Sequence, residues 1–211
     1  MANRKYIPAL SFRWLTPLYD SLIDGPMSIM RLRKDLLAQM GDLTDKRVLD
    51  VGCGTGTLAT MIKQAYPAAD VVGLDGDPQI LEIARSKASN RGIEIRFDQG
   101  MSFELPYPDE SFDIVLTTVM LHHLNRDDKQ KTAMEIYRVL RPGGRLFGAD
   151  FVEPRSPFGK AIRPLTRHFE RVAENLDGFL PVMFRRAGFK NYTETNRYFF
   201  GSISLFHGFK D

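Results

Sequence analysis

The segment that most constrains the fold of this chain is a glycine-rich turn, VLDVGCGTGTLA, at residues 48–59. Its glycines, Gly52, Gly54 and Gly56, lie between an apolar run typical of a buried strand and a pattern typical of a helix. Glycine supplies the unusual dihedral angles of a tight turn and lets a ligand approach the backbone closely. The first turn of the helix adds N–H groups and a partial positive charge, which suit a carboxylate or a phosphate. We therefore expect a ligand-binding loop at the carboxyl end of this strand.

Strand-like and helix-like patterns alternate from about residue 46 onward. The predicted strands are apolar or alternating runs bounded by turn residues, at Arg47–Val51, Asp70–Asp75, Ile93–Phe97, Phe112–Thr118 and, after the turn signal Pro142-Gly143-Gly144, Arg145–Ala149. The predicted helices have apolar residues at helical spacing, at Thr57–Tyr66, Pro78–Asn90 (with Asp77 as its N-cap) and Asp127–Leu140. This alternation implies parallel strands buried between layers of helices.

Two period-two runs close the chain, Tyr192–Arg197 and Ser202–Phe206, joined through Phe199-Phe200-Gly201. They predict a terminal hairpin that lies antiparallel to the main sheet. We therefore predict an α/β fold: a doubly wound, Rossmann-like, mostly parallel seven-stranded sheet with helices on both faces and a C-terminal antiparallel hairpin.

The length of 211 residues suits a single domain, and no repeat, low-complexity tract or clear linker divides it. Within it we predict an N-terminal helical cap over 1–45, a cofactor-binding core over 46–150, a helical insertion or lid over 151–187 and the hairpin over 188–211. A hydrophobic share of 43% and a charged share of 26% exclude a disordered or collagen-like chain. The single cysteine, Cys53, and the lack of a signal-peptide or membrane-spanning pattern predict a cytoplasmic location.

An acid follows the glycine loop at the position that adenosine-type cofactors require. Asp75 ends the second predicted strand, where a carboxylate can accept both hydroxyls of a ribose. Two cofactor classes share this plan, and the dinucleotide pattern G-x-G-x-x-G/A is matched loosely by Gly54, Gly56 and Ala59. An acid just before the loop, Asp50, would repel a pyrophosphate but can help hold the ammonium of an amino-acid moiety. The residues therefore favour S-adenosylmethionine over NAD.

Several stretches of the chain resemble, in their order and spacing, the class I S-adenosylmethionine-dependent methyltransferases. The resemblance is to the broad methyltransferase type 11 group, which includes quinone-biosynthesis and phospholipid methyltransferases. It covers roughly residues 46–208 and rests on VLDVGCGTGTL (48–58), VVGLDGDPQIL (71–81), ELPYPDESFDIV (104–115), VMLHHL (119–124) and LRPGG (140–144), and more weakly on FRRAGF (184–189) and the GSISLFHGFK ending. It implies methyl transfer from S-adenosylmethionine to an acceptor by in-line displacement.

The resemblance also implies a cofactor site. The loop from Asp50 to Gly56 would wrap the methionine part, Asp75 would hold the ribose, and Thr118 ends the strand where the transferred methyl should emerge. Cys53 would be a small polarizable side chain beneath the cofactor rather than a reactive thiol. Tyr19 would either reach the methionine end or pack on an apolar helix face. The implied cofactor-binding residues are Tyr19, Asp50, Gly52, Cys53, Gly54, Gly56, Asp75, Gly76, Ile80, Met101, Ser102 and Thr118.

The chain departs from the family pattern where adenine would be recognised. The family normally reads Gly-Asp-Ala after the third strand, and the acid of that motif bonds the adenine amino group. Here the sequence reads Gly100-Met101-Ser102. Met101 cannot accept that hydrogen bond, although its thioether can pack on an aromatic ring. The alternatives are the backbone at Ser102, or Asp98 acting from a shifted position.

Two adjacent histidines, His122 and His123, follow the fourth predicted strand on the ligand side of the sheet. Histidine titrates near neutral pH, so either ring is a candidate base for an acceptor hydroxyl or acidic carbon. A structural role is favoured over this one: one ring caps the next helix or packs beside the cofactor, and the other points into the core. No metal site with Asp127 or Asp128 is expected, because adjacent histidines on a turn usually diverge.

The acceptor is expected to be a small or lipid-like molecule and not a nucleic acid. The Asn/Asp-Pro-Pro-Tyr/Phe motif of nucleic-acid and protein-nitrogen methyltransferases is missing at 117–119, and the net charge is only +3. Acceptor specificity would come from residues 6–40 and 151–181. The segment 155–171 pairs an apolar face with a basic face, so it is either a lid that touches a membrane or, as we favour, a lid with a solvated charged side.

Two other functions stay open at this point. An NAD-type oxidoreductase would leave Asp50 and the LRPGG segment unexplained. A catalytically silent S-adenosylmethionine-binding module is compatible with the motifs, because no essential catalytic residue can be read from them. The sequence carries no indication of an oligomeric state.

Overall fold

Seven strands form one sheet in the part of the chain that the computed structural model describes, which is residues 29–157 and 172–211 together with 160, 161 and 163. The strands are β1 (Arg47–Val51), β2 (Asp70–Asp75), β3 (Arg96–Gln99), β4 (Phe112–Thr118), β5 (Leu140–Phe151), β6 (Thr193–Tyr198) and β7 (Ile203–Phe209). Their order across the sheet is β3-β2-β1-β4-β5-β7-β6. The chain therefore winds outward from β1 in both directions, which confirms the predicted doubly wound α/β fold.

The helices in the same part of the chain connect these strands. They are α1 (Ile29–Met40), α2 (Thr57–Ala65), α3 (Pro78–Ser89), α4 (Arg126–Val139), α5 (Val172–Leu176) and α6 (Phe179–Ala187). The predicted N-cap of α3 is confirmed, because Asp77 accepts the N–H of Gln79 at 2.8 Å and Pro78 begins the helix. Asn125 caps α4 in the same way, accepting the N–H of Asp128 at 2.9 Å. Local sequence thus sets where these two helices begin.

The terminal hairpin forms as predicted, and the strand by which it joins the sheet, β7, lies antiparallel to the core strands. Strands β1 to β5 are mutually parallel, and β7 runs antiparallel to β5. Strand β6 then pairs antiparallel with β7, so it runs in the direction of the core strands. Only β7 opposes the others, because β7 lies between β5 and β6 and the two strands of a hairpin point in opposite directions.

Several predicted boundaries differ from the observed ones, most of them by one or two residues, and the larger differences follow from strand pairing. Strand β3 begins at Arg96 instead of Ile93, since pairing with β2 starts only at Val72↔Arg96. Strand β5 begins at Leu140 and takes in the predicted turn at 142–144. Its pairing with β4 shifts register between Phe112 and Ile114, which accommodates the turn residues as a bulge. Consequently α4 ends at Val139, one residue before the predicted end.

The core consists of two apolar clusters, one on each face of the sheet. One joins the sheet to α1, α2 and α3, and the other joins it to α4 and α6. Strand β4 shows the alternation clearly: Ile114 and Leu116 belong to the first cluster and Val115 to the second. Because helices cover both faces of the sheet, the loops at the carboxyl ends of the parallel strands are where a ligand site can form.

Two predicted segments lie partly outside the described residues. Of the N-terminal cap, α1 is described and residues 1–28 are not. Of the insertion at 151–187, the structure describes α5, α6 and the positions before residue 158, together with 160, 161 and 163. In the described part of the chain, no helix is long and apolar enough to cross a membrane. The predicted division into cap, core, lid and hairpin stays a prediction.

Candidate active site

The glycine loop is hydrogen-bonded to the end of the neighbouring strand β2. Gly52, Gly54 and Gly56 all have left-handed backbone angles, with φ of 73°, 54° and 69°. The N–H groups of Gly52 and Cys53 both donate to the carbonyl of Leu74, at 2.8 and 3.0 Å. These bonds turn the chain sharply away from β1 and into α2, as the glycine spacing predicted.

The surroundings of the glycines differ, and the difference shows where a ligand can approach. A Cβ on Gly52 would lie 2.3 Å from Cγ of Met120, and one on Gly56 would lie 2.8 Å from Cζ of Phe97. A Cβ on Gly54 would meet nothing within 4 Å. Gly52 and Gly56 are therefore needed for close packing, whereas Gly54 borders open space at the tip of the loop.

Asp50 is a fully buried acid in the glycine loop region. Its side chain lies at the carboxyl end of β1, and neither carboxylate oxygen has a hydrogen-bond partner among the residues that the structure describes. Burial raises the pKa of Asp50 to about 7; the positive charge of Arg33 opposes this rise, and the negative charge of Asp75 adds to it. A buried carboxylate without a hydrogen bond is costly, so this position suits a ligand that brings a cation. The ammonium of S-adenosylmethionine fits that requirement.

The carboxylate of Asp75 stabilises the glycine loop and the turn after β2 by accepting two backbone hydrogen bonds. Its Oδ2 accepts the N–H of Gly54 and its Oδ1 accepts the N–H of Asp77, both at 2.9 Å. Burial raises the pKa of Asp75, while these N–H groups lower it. A carboxylate has about four acceptor positions, so Asp75 can still accept ribose hydroxyls. Gly76 follows directly, and Ile80 is buried in the first turn of α3.

The two polar candidates near the predicted adenine position point elsewhere. Ser102 Oγ lies 3.0 Å from the hydroxyl of Thr132 on α4, so its side chain is turned toward that helix. Asp98 accepts a hydrogen bond from the hydroxyl of Tyr107 at 2.9 Å and forms a salt bridge with Arg96. The predicted adenine contacts that these side chains leave open are the backbone near Ser102, the Met101 thioether, Gly76 and Ile80.

The end of β4 carries a strained residue where the methyl group is expected to emerge. Thr118 is the last residue of the strand, and Val119 after it has a φ of 51°. A left-handed conformation is rare for a β-branched residue and costs on the order of 1–3 kcal/mol. The bond from Val119 N–H to the Ala149 carbonyl, at 2.7 Å, helps hold this turn. Strain of this kind is frequent at functional sites.

The two histidines lie in a short 3-10 turn, Leu121–His123, and differ in their surroundings. His122 is buried, with Nδ1 3.0 Å from Oδ1 of Asp150, and its ring lies nearly perpendicular to that of Phe151, with the two centroids 5.0 Å apart. His123 is partly exposed, with its ring centroid 4.1 Å from that of His122. The histidine that points into the core is thus His122. The alternative that a histidine caps the next helix was wrong, because Asn125 does so.

Asp150, on β5, is a functional candidate that sequence reasoning missed. It is fully buried, and five polar groups of the described residues surround its carboxylate: the N–H groups of Met120, Leu121 and Phe151, the ring of His122 and the amide of Asn175. Burial alone would raise the pKa of Asp150, yet the His122 ring and the Phe151 N–H lower it below its usual range. Its position near the carboxyl end of a predicted strand was the one sequence signal available.

Cys53, Tyr19 and the segment 155–171 were also singled out in the sequence. Cys53 is buried, and burial raises the pKa of its thiol well above the usual range, which disfavours the reactive thiolate. Tyr19 and most of 155–171 lie outside the described residues. Within the described ranges, no group of three or more His, Cys, Asp or Glu side chains is placed to hold a metal ion.

The sheet order and the glycine loop define a Rossmann-like α/β protein, a fold in which ligands bind at the carboxyl ends of the strands. A sequence profile described as Methyltransferase domain matches residues 48–144. The demethylmenaquinone methyltransferase of Thermus thermophilus is 39% identical over 177 residues, covering 82% of this chain and 78% of that protein. The demethylmenaquinone methyltransferase of Lactiplantibacillus plantarum is 30% identical, covering 100% of this chain and 99% of its own length.

Solved structures agree with these relatives. The S-adenosylmethionine-dependent methyltransferase SibL superposes with a TM-score of 0.67 at 26% sequence identity, covering 84% of this chain and 54% of that one. The chain belongs to the class I S-adenosylmethionine-dependent methyltransferases, the family predicted from its motifs. It is an enzyme that uses S-adenosylmethionine, which excludes the NAD-type oxidoreductase and the silent binding module.

Proposed function

We propose that this enzyme methylates a ring carbon of a reduced, demethylmenaquinone-like acceptor. The observation that carries the proposal is the similarity, over most or all of both chains, to the two bacterial proteins named demethylmenaquinone methyltransferase. A quinone of this kind is a lipid-like small molecule, which agrees with the acceptor class expected from the sequence. No nucleic-acid substrate is proposed.

The chemistry requires the reduced form of the acceptor. S-adenosylmethionine supplies an electrophilic methyl group on a positively charged sulfur that departs as a neutral thioether. The ring carbon of an oxidised quinone is electron-poor, whereas that of a quinol is electron-rich and becomes more so when a hydroxyl loses its proton. The acceptor carbon then gains a carbon–carbon bond to the methyl as the carbon–sulfur bond breaks. Loss of the ring proton from that carbon makes the ring aromatic again, and return of a proton to the deprotonated oxygen restores the quinol, so one proton is released overall.

His122 is the base that we assign to this step. Its Nδ1 faces Asp150, so the opposite ring nitrogen, Nε2, is the atom to receive the hydroxyl proton. The short turn that carries His122 follows β4, at the carboxyl ends of the parallel strands, where the glycine loop also lies. His123, which is partly exposed, is the alternative base.

We propose that the predicted cofactor residues act through the contacts described above. Asp50 would pair with the ammonium, the open space at Gly54 would admit the methionine part, and Asp75 would accept the ribose hydroxyls. The backbone at Ser102 and the side chains of Ile80 and Met101 would border the adenine. The buried carboxylate of Asp50 supports this arrangement, because neither of its oxygens accepts a side-chain hydrogen bond from the described residues and the ligand's ammonium can donate one.

A cytoplasmic location with peripheral contact to a membrane accompanies this proposal. The acceptor would carry an apolar tail, and the sequence of 155–171 pairs basic with apolar positions, a pattern that suits the surface of an anionic membrane. Flotation with liposomes, with and without anionic lipid, tests this part alone. Failure to float with either would remove the membrane contact and leave the reaction untouched.

The experiment that tests the reaction is a turnover assay with purified protein. A short-tailed demethylmenaquinol, its oxidised quinone, a simple phenol and phosphatidylethanolamine are each supplied with S-adenosylmethionine. We expect S-adenosylhomocysteine and a product heavier by one CH₂ unit with the quinol alone. Methylation of phosphatidylethanolamine in place of the quinol would show that the acceptor assignment is wrong.

A further inference from the structure

Asp150 contacts both the backbone and the ring of the residue assigned as base. Its Oδ2 accepts the N–H groups of Met120 and Leu121, at 3.1 and 2.8 Å, which lie directly before His122. Its Oδ1 faces Nδ1 of His122 at 3.0 Å. One carboxylate therefore fixes the 3-10 turn and the orientation of the imidazole at the same time.

We propose that Asp150 and Asn175 are positioning residues that hold His122 in the tautomer with its proton on Nδ1. The inference rests on the proposed function, because it gives His122 the part of the base. An ionised carboxylate only accepts hydrogen bonds, so the nitrogen that faces it must be the one that carries the proton. The lone pair is then on Nε2, which is the nitrogen that a base needs.

Asn175 extends this arrangement into the insertion that follows β5. It is fully buried on α5, and its Nδ2 donates to Asp150 Oδ1 at 3.2 Å. The residue before it, Glu174, pairs with the buried Lys129 of α4 at 2.8 Å. Two successive residues of α5 thus tie the insertion to the core, and one of them contacts the same carboxylate oxygen as His122. The insertion, where acceptor specificity was expected, is in this way joined to the base.

The simpler alternative is that Asp150 only stabilises the turn. A double-mutant cycle separates the two roles, because a residue that acts through His122 loses its effect once the imidazole is gone. The single variants are Asp150→Asn, Asn175→Ala and His122→Ala. The two double variants combine His122→Ala with Asp150→Asn and with Asn175→Ala. Asp113→Asn is the matched control, since this strand carboxylate also accepts a backbone N–H and an arginine, but at the opposite end of β4.

We expect Asp150→Asn to lower kcat for the quinol about 100-fold, the size typical of a lost general base. In the His122→Ala background the same change should alter kcat by less than about twofold. Asn175→Ala should lower kcat about threefold to tenfold, again only when His122 is present. The control and the affinity of every variant for S-adenosylmethionine should stay within about twofold of wild type.

A second readout does not depend on turnover. In protein labelled with ¹⁵N-histidine, NMR should show the His122 proton on Nδ1, and Asp150→Asn should lower the share of that tautomer, because an amide, unlike a carboxylate, can also offer N–H groups to the ring. Equal losses of kcat in the wild-type and His122→Ala backgrounds, or a proton on Nε2 in the wild type, would overturn the proposal. If the Asp150→Asn variant does not bind S-adenosylmethionine, the double-mutant cycle of Asn175→Ala with His122→Ala decides instead. Equal losses of kcat with and without His122 would again overturn the proposal. If the wild type fails to methylate the quinol, the proposed reaction is wrong, while the NMR result still tests the tautomer.

Discussion

Gly54 donates its backbone N–H to Oδ2 of Asp75 at 2.9 Å, which joins the tip of the glycine loop to the end of β2. The two residues are proposed to contact different parts of one cofactor, and they are bonded to each other without it. The loop is therefore held in shape before binding, so less conformational entropy is lost when the ligand enters.

Replacing Asp75 tests this double role. Asp75→Asn keeps the size of the side chain but cannot accept from both Gly54 and Asp77, and it binds ribose hydroxyls less strongly. Because hydrogen bonds to a charged group contribute about 1.5–3 kcal/mol, we expect the Kd for S-adenosylmethionine to rise about 10- to 100-fold. Calorimetric titration measures it, with Asp70→Asn at the other, exposed end of β2 as the control. An unchanged Kd would mean that Asp75 does not bind the cofactor.

The raised pKa of Asp50 predicts a pH dependence of cofactor binding. Its pKa in the folded protein is about 7, so the carboxylate is neutral well below that pH and charged well above it. An ammonium binds the charged form, and we expect the affinity for S-adenosylmethionine to increase as pH rises from about 5.5 to 8. Titrations across this range should show the increase in the wild type and lose it in Asp50→Asn. A flat profile in the wild type would contradict the assignment.

The same group predicts a stability change of opposite sign. A folded pKa of about 7 against a usual value of 3.8 means that the folded state binds the proton more tightly than the unfolded state. The free energy of unfolding without cofactor therefore falls as pH rises between these values, by at most about 4 kcal/mol. Asp50→Asn should remove this loss, so that the variant is the more stable one at pH 8 and gains little at pH 4. Thermal unfolding at the two pH values measures it; greater stability of the wild type at pH 8 would refute it.

The glycines of the loop predict two separable defects. An alanine at either Gly52 or Gly54 must adopt a left-handed φ, which costs about 1–2 kcal/mol. Gly52→Ala would in addition overlap Met120, so we expect a further loss of about 1–3 kcal/mol in unfolding free energy. Gly54→Ala borders open space, and its main effect should be weaker cofactor binding. Denaturant unfolding and calorimetry compare the pair, and equal stabilities would contradict the predicted overlap.

The histidines predict unequal effects on turnover. At saturating cofactor we expect His122→Ala to lower kcat about 100-fold and His123→Ala to lower it less than about threefold. The physical reason is that the ring of His122 is held against Asp150, whereas His123 is partly exposed. Steady-state kinetics with the quinol measure both. If neither change alters kcat, the reaction needs no histidine base.

Local sequence determined much of the fold and the ligand loop. The strands β1, β2 and β4 begin and end at the predicted residues, and α3 begins at its predicted cap. These features depend on neighbours in the chain: apolar runs ended by glycine, a capping carboxylate, and a proline in the first turn. The loop from Gly52 to Gly56 and the acid at Asp75 belong to the same group, because a tight turn requires particular residue types at particular spacing.

Only the tertiary structure decided the features that depend on a distant partner. The start of β3 and the length of β5 follow from the strands they pair with, and the direction of β7 follows from its place between β5 and β6. The contacts of Asp150 with His122 and Asn175 join residues 28 and 25 positions apart. No periodicity or spacing encodes such a contact, since it arises when three elements pack their side chains around one buried carboxylate.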